Sequence, residues 1–183
     1  MKKAIAVFGG SFNPPHVAHQ MVCLWVLETQ PVDEILLVPT FRHPFEKQLA
    51  PYPERVEMCR RMALPFGGRA SVSTLEEELG GESSRTLVTL EALAARLTGC
   101  SLRLVIGADI LPERDKWYRW ADIEKLAPPI VVGRHGFPSP DGAPELADVS
   151  STEVRARLGR GQPVSHLVPR SVLAVIVEKG LYT

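Results

Sequence analysis

The sequence predicts an α/β fold, a doubly wound and mostly parallel sheet with helices on both faces. Three observations carry this expectation. Short apolar runs alternate with amphipathic stretches along the chain. The first run ends in Gly-Gly and leads straight into a helix-like segment. Leu87, Leu90, Leu93 and Leu97 recur at helical spacing between two strand-like runs.

The elements follow in order. AIAVF (4–8) reads as a buried strand. HVAHQMVCLWVLET (16–29) reads as a helix with its apolar positions at Val17, Met21, Leu24 and Leu27. EILLVP (34–39) is a second strand, closed by proline. PERVEMCRRMA (53–63) is a helix with proline early and charges on one face. SVSTL (71–75) is a third strand, and SRTLVTLEALAARL (84–97) is a helix. LRLVIG (102–107) is a central strand and PIVVG (129–133) another. The Gly- and Pro-rich stretch 136–148 reads as a surface loop with room to move. Ser151 or Thr152 then caps a helix that ends at Gly159 and Gly161. Pro169 opens the last helix and Gly180 stops it. No repeat or low-complexity tract divides the chain, so one domain over 1–183 is expected, with a helical part from about 150 to 183.

Composition narrows the function. Apolar residues make up 45% and charged residues 23%, and the net charge is zero. That balance argues against nucleic acid or an acidic membrane as partner, while leaving room for a local basic pocket. No apolar run approaches the ~18 residues of a membrane span. The run after Lys2 and Lys3 is too short for a secretory signal and ends in Gly9-Gly10, so a cytoplasmic location is expected. Cys23, Cys59 and Cys100 form no close pair, and buried reduced thiols are the expectation.

The segment GGSFNPPHVAH (9–19) carries the first chemistry. Gly9 and Gly10 let the backbone turn and approach a ligand. Ser11 and nearby amides can donate to phosphate oxygens. A helix beginning near His16 adds free amides and the positive end of its dipole. His16 and His19, three apart, share one face of the first turn. The segment has neither the Lys-Ser/Thr pair of a P-loop nor the GxGxxG of a dinucleotide site. Metal ligation by H-x-x-H and a purely structural histidine pair are the competing readings. The first lacks an acidic companion at helical spacing.

This segment resembles the signature of the nucleotidyltransferase superfamily, G-x-F-x-P-x-H-x-G-H, in the version found in bacterial nicotinate-mononucleotide adenylyltransferases. Ala18 stands where that signature has glycine. SSTEVR (150–155) is similar to the family's second signature, S-x-T-x-x-R. IGADILPERDKWYRW resembles its GAD segment with a downstream tryptophan. The resemblance covers nearly the whole chain and implies a Rossmann-like nucleotidyltransferase domain.

The implied activity is adenylyl transfer from ATP, with Mg²⁺ bound to it, onto nicotinate mononucleotide in NAD biosynthesis. The resemblance assigns His16, His19 and Arg155 as catalytic. It gives Gly9, Gly10, Ser11, Phe12, Arg134, Ser151 and Thr152 to ATP, and Lys47, Thr86, Gly107, Asp109, Trp117 and Tyr118 to the mononucleotide. Trp117 would stack on the pyridine ring, and Thr86 would meet its carboxylate through the backbone amide. Two departures bear on that end of the substrate. Arg85 stands where the family often has tyrosine, and HPFEK (43–47) where it often has PPHK. The choice between nicotinate and nicotinamide mononucleotide therefore stays open, as do another superfamily acceptor such as pantetheine phosphate, a cytidylyltransferase, and a non-catalytic nucleotide-binding protein. A homo-oligomer is neither required nor excluded.

Overall fold

The computed structural model describes residues 2–42, 49–81, 84–140 and 142–183. Five strands, β1 (Ala4–Gly10), β2 (Glu34–Pro39), β3 (Ala70–Val72), β4 (Ser101–Gly107) and β5 (Pro129–Val132), form one sheet. All the pairings are parallel and the order is β3-β2-β1-β4-β5. The chain steps outward from β1 to β2 and β3, then returns past β1 to β4 and β5. The order therefore reverses between β1 and β4, and the crevice at their carboxyl ends is where such a sheet accepts ligands.

Alternation along the strands sorts the core into two layers. Ala6 faces one layer, where Cys23, Val26, Met58, Val154 and Ile176 pack. Those residues come from α1 (Val17–Thr29), α2 (Tyr52–Ala63), α6 (Ser151–Leu158) and α7 (Arg170–Lys179). Ile5 and Val7 face the other, against Leu75, Leu87, Leu90, Leu93 and Ile123. These belong to α3 (Leu75–Leu79), α4 (Thr86–Arg96) and α5 (Trp120–Leu126). Helices thus cover both faces, as the alternation of elements predicts.

Several local expectations are corrected. β1 runs two residues further than the sequence suggests, because Gly9 and Gly10 still pair with Val38 and Pro39. The turn follows them, with Phe12 at φ +44°. The expected strand at 71–75 stops early. Ser73 Oγ accepts from the Leu75 N–H at 3.2 Å, and Leu75 opens a short helix instead. In α1 the buried residues are Ala18, Cys23, Val26 and Leu27, whereas Met21 and Leu24 are 40% and 54% exposed. This helix is apolar nearly all round, so apolar spacing alone misplaces its inward face. α6 is capped by Ser150, whose Oγ accepts from the Glu153 N–H at 3.1 Å, not by Ser151 or Thr152. The loop at 136–148 folds back on β5 rather than standing free. Ser139 Oγ donates to the Val131 carbonyl at 3.0 Å, and Gly133 bridges to Glu145. A side chain at Gly133 would lie 2.9 Å from the Pro144 carbonyl, so that return path needs glycine there. Two 3-10 segments, Leu64–Arg69 and Ala108–Lys116, and α5 have no counterpart in the sequence reading. Cys23 and Cys59 are buried, while Cys100 is only half-buried. No helix among the described residues is long and apolar enough to cross a membrane.

The charges of α2 do not all lie on an outer face. Arg55 is 1% exposed. Its Nε donates to the Ala50 carbonyl at 3.0 Å, and its Nη1 donates to the Ser11 and Thr40 carbonyls at 2.9 and 2.8 Å. The Tyr52 ring lies 5.3 Å from the guanidinium carbon. This cation is balanced by carbonyl dipoles and a ring face, and burial lowers its affinity for the proton. Replacing it by methionine keeps the bulk but strips three partly buried carbonyls of their donor. Arg55→Met is expected to lose roughly 2–4 kcal/mol of unfolding free energy, measured by urea denaturation. A loss under about 0.5 kcal/mol, the usual scatter for a surface change, would refute this account of Arg55.

Candidate active site

The carboxyl ends of β1, β4 and β5 open into a cleft of about 900 Å³, near the upper end of the usual range for small-molecule sites. Gly9, Gly10 and Ser11 form one wall, and the first turn of α1 supplies His16 and His19. Gly107 and Asp109 lie at the floor, and Arg134 closes the β5 side. At the far end stand Thr86, Trp117 and Tyr118. These residues span 125 positions of sequence, from Gly9 to Arg134, and meet only because their strands end on one edge.

The two imidazoles are stacked, with ring centroids 3.7 Å apart and planes 30° from parallel. His19 Nδ1 accepts from the His16 backbone N–H at 3.1 Å. In the neutral ring the proton then sits on Nε2, which is left as a donor. His16 is buried, and its Nδ1 has no partner among the described residues. Burial and the Arg134 charge hold the pKa of His16 down at about 4. Burial, His16 and Arg134 hold that of His19 well below the ordinary histidine value. The pair is therefore neutral at pH 7 and presents N–H donors, not cations. Phe12 is not itself in the cleft. Its side chain is 1% exposed, edge-on to Phe8 and 5.0 Å from the His19 ring, so it supports that ring from behind.

The second segment is joined to the first by backbone contacts. Arg155 Nη1 donates to the Asn13 carbonyl at 2.7 Å, and Ser151 Oγ donates to the Pro14 carbonyl at 2.9 Å. Arg155 Nη2 also donates to Thr152 Oγ1 at 3.3 Å. The structure places Ser151, Thr152 and Arg155 beside the Asn13-Pro14 turn rather than on the wall of the cleft. Asp109 lies 3.8 Å from Arg134 Nε. Trp117 meets Trp120 edge-on at 5.7 Å. Lys47 lies outside the described residues.

Some site residues escaped the sequence reading. Asn13 is buried, and its Oδ1 accepts from the Ala50 N–H at 3.0 Å and the Tyr182 hydroxyl at 2.8 Å. Glu76 lines the cleft and accepts from the Phe41 N–H at 3.0 Å and the Thr89 hydroxyl at 3.1 Å. Thr40 and Lys116 also line it. The partners of Asn13, and the Phe41 and Thr89 partners of Glu76, lie 13 or more residues away, so no local spacing marks either residue. Only the proximity of Asn13 to the two histidines was a signal.

A fold with this switch point and a histidine pair at the start of α1 defines a class. The chain belongs to the cytidylyltransferase-like family, whose model matches residues 7–157. It is 53% identical over 182 residues to a protein of Anaeromyxobacter sp. (strain K) named "Probable nicotinate-nucleotide adenylyltransferase", covering 98% of this chain and 97% of that one. A Myxococcus xanthus protein of the same name is 43% identical over 179 residues, covering 97% and 94%. Within the class, the chain is thus a member of the nicotinate-nucleotide adenylyltransferase family. The fold is shared by the Plasmodium falciparum nicotinic acid mononucleotide adenylyltransferase solved with NaAD. That match has TM-score 0.79 and 19% identity, and it covers 98% of this chain and 97% of the other.

The neutral histidine pair has a consequence for stability. Free imidazole titrates near 6.5, and the folded value for His16 is about 4. Between these values the unfolded chain binds more protons than the folded one, so the His16 contribution is complete above pH 6.5 and is lost as pH falls toward 4. The ligand-free protein is expected to melt at progressively lower temperature as pH drops through that window. The slope should be shallower in His16→Gln. Equal slopes from pH 6.5 to 5 for the two proteins would contradict a neutral, buried His16.

Proposed function

We propose that this protein transfers the adenylyl group of ATP to nicotinate mononucleotide, releasing pyrophosphate and forming the deamido dinucleotide. The observation that carries the reading is one cleft with two chemically different ends. A glycine-walled histidine pair suits phosphates, and a half-buried tryptophan across the switch point suits a flat ring. The names of relatives covering nearly the whole chain support the same reaction.

The chemistry asks for little beyond positioning. The 5′-phosphate of the mononucleotide, with a second pKa near ~6, already carries negative oxygen at neutral pH. One of its oxygens attacks the α-phosphorus of ATP. The bond from that phosphorus to the oxygen bridging toward the β-phosphate breaks, and the electron pair leaves with pyrophosphate. No proton need be removed, so catalysis rests on orientation and on stabilising charge at the α-phosphate.

His19 Nε2–H and His16 would donate to the α-phosphate and triphosphate oxygens, with the amides around Gly9, Gly10, Ser11 and Phe12 behind them. Neutral imidazoles act here as hydrogen-bond donors and have no proton to surrender cheaply, which suits a reaction without acid catalysis. Arg155 uses two N–H groups on Asn13 and Thr152. The rest of its five, with Ser151 and Thr152, would steady the leaving pyrophosphate. Arg134 would serve the ATP side. Asp109 would accept from ribose hydroxyls, Gly107 would admit the ligand closely, and Trp117 would stack on the pyridine, with Thr86 and Tyr118 at its edge. Mg²⁺ enters as MgATP. The donors at the phosphate end are imidazoles, amides and hydroxyls, whereas Mg²⁺ favours hard oxygens and keeps those of its phosphates and waters.

His19→Ala is expected to lower kcat by about 100- to 1,000-fold, the usual loss for a transition-state donor, with the melting temperature little changed. Turnover within a few-fold of the parent would remove His19 from the reaction. Pyrophosphate release measured with MgATP and each of nicotinate mononucleotide, nicotinamide mononucleotide and pantetheine phosphate tests the acceptor. The expected order places nicotinate mononucleotide first, and release with pantetheine phosphate alone would overturn the assignment.

A further inference from the structure

We propose that Arg85 is a specificity residue that favours a carboxylate over a carboxamide on the acceptor ring. The proposal rests on the mononucleotide reading above and extends it to a residue that reading leaves unused.

Arg85 is the residue before α4, in extended backbone at φ −118° and ψ 123°, so its side chain departs from the helix. It lines the cleft together with Thr86, Trp117 and Tyr118. Its guanidinium carbon lies 4.7 Å from the Tyr118 ring centroid, within cation–π range. That stacking limits the freedom of a long side chain within the cleft that Trp117 also lines. A flat ring on Trp117 would share the cleft with Tyr118 and the Arg85 stacked on it.

Among the described residues, the acidic groups around this corner are engaged elsewhere and Arg85 has no carboxylate partner. Arg119 also approaches Tyr118, at 6.0 Å, but it is paired with Asp122 at 2.6 Å. Lys116 is paired with Glu113 at 2.8 Å. The Glu76 carboxylate, further in, has both oxygens occupied by Phe41 and Thr89. Arg85 itself has no carboxylate within ion-pair distance among the described residues. The first turn of α4 contains no acidic residue, so the free amides of an 11-residue helix add positive potential at the same place. An anionic ring substituent gains from both sources and can accept two parallel bonds from the guanidinium. A neutral carboxamide gains from neither charge and offers one acceptor.

The test measures kcat/KM for nicotinate and nicotinamide mononucleotides in the parent, Arg85→Ala and Arg85→Lys, at low and high salt, with the KM for MgATP as internal control. In Arg85→Ala the acid is expected to lose about tenfold or more, the scale of one charge-assisted hydrogen bond, mainly through KM. The amide and the KM for MgATP should stay within about twofold. Arg85→Lys should keep part of the preference, since it retains charge but lacks the fork. The acid advantage of the parent should shrink with salt. Equal losses for acid and amide would make Arg85 merely structural and overturn the proposal, as would an unchanged ratio. A parent enzyme that uses neither mononucleotide would overturn the underlying function, and it is recognised before any variant is made.

Discussion

The glycine-and-histidine end of the cleft depends on one buried cation. Arg55 reaches from α2 to the carbonyls of Ser11, Thr40 and Ala50, and so binds together the segments that follow β1 and β2 and the approach to α2 itself. A parallel sheet supplies no hydrogen bonds to the loops beyond its carboxyl edge, and those loops must take up ligand without sagging into the space. A guanidinium can meet several carbonyls at once because its donors are fixed in a plane. Asn13 continues the same work outward. Its side chain holds Ala50 and the hydroxyl of Tyr182, and its carbonyl receives Arg155. The glycine wall and the histidine turn are thus anchored from α2, α6 and the end of the chain.

Rigidity there is what lets the histidines stay neutral and still be useful. Two imidazolium rings at 3.7 Å beside Arg134 would repel strongly, and burial adds to the cost. The fold accepts two neutral rings instead and fixes the tautomer of His19 through the backbone N–H of His16. In the proposed reading, the positive charge that meets the phosphates is left to Arg134, Arg155 and helix amides. This division matters for transfer between phosphates, where donors held in place lower the barrier without reorganising. Phe12, held in left-handed backbone at φ +44°, completes the support by placing its ring against His19. A non-glycine residue in that region carries local strain, here located at the turn that sets the histidine pair.

Much of this was legible in the chain. The parallel sheet and its helices on both faces follow from apolar alternation, and the grouping of the histidine turn with Gly107, Trp117 and Arg134 is what the family resemblance implies. What escaped depends on contacts far apart in sequence. Arg55 reads as one more surface charge on α2 until the loops it holds are folded around it. Asn13 and Glu76 acquire their partners from residues 37 and 35 positions away. Apolar spacing does not identify the inward face of α1, because Met21 and Leu24 are as apolar as the residues that are buried. Ser150 displaced Ser151 as helix cap, and the difference is functional in consequence: freed from capping, the Ser151 hydroxyl reaches the Pro14 carbonyl and ties the second motif to the first.

Gly107 joins the two ends of the cleft. A Cβ there would come within 2.2 Å of Asp109 Oδ1 and 2.7 Å of Arg134 Cδ. Without one, the Arg134 side chain can lie across the end of β4 and approach Asp109 at 3.8 Å. The same guanidinium lowers the proton affinity of both histidines. A single exposed arginine just beyond β5 therefore touches the electrostatics of the histidine pair and the carboxylate of Asp109 together. It can do so only because β4 ends in a residue with no side chain. The glycine at the tip of β4 thus leaves the space beside the switch point that Arg134 and Asp109 occupy.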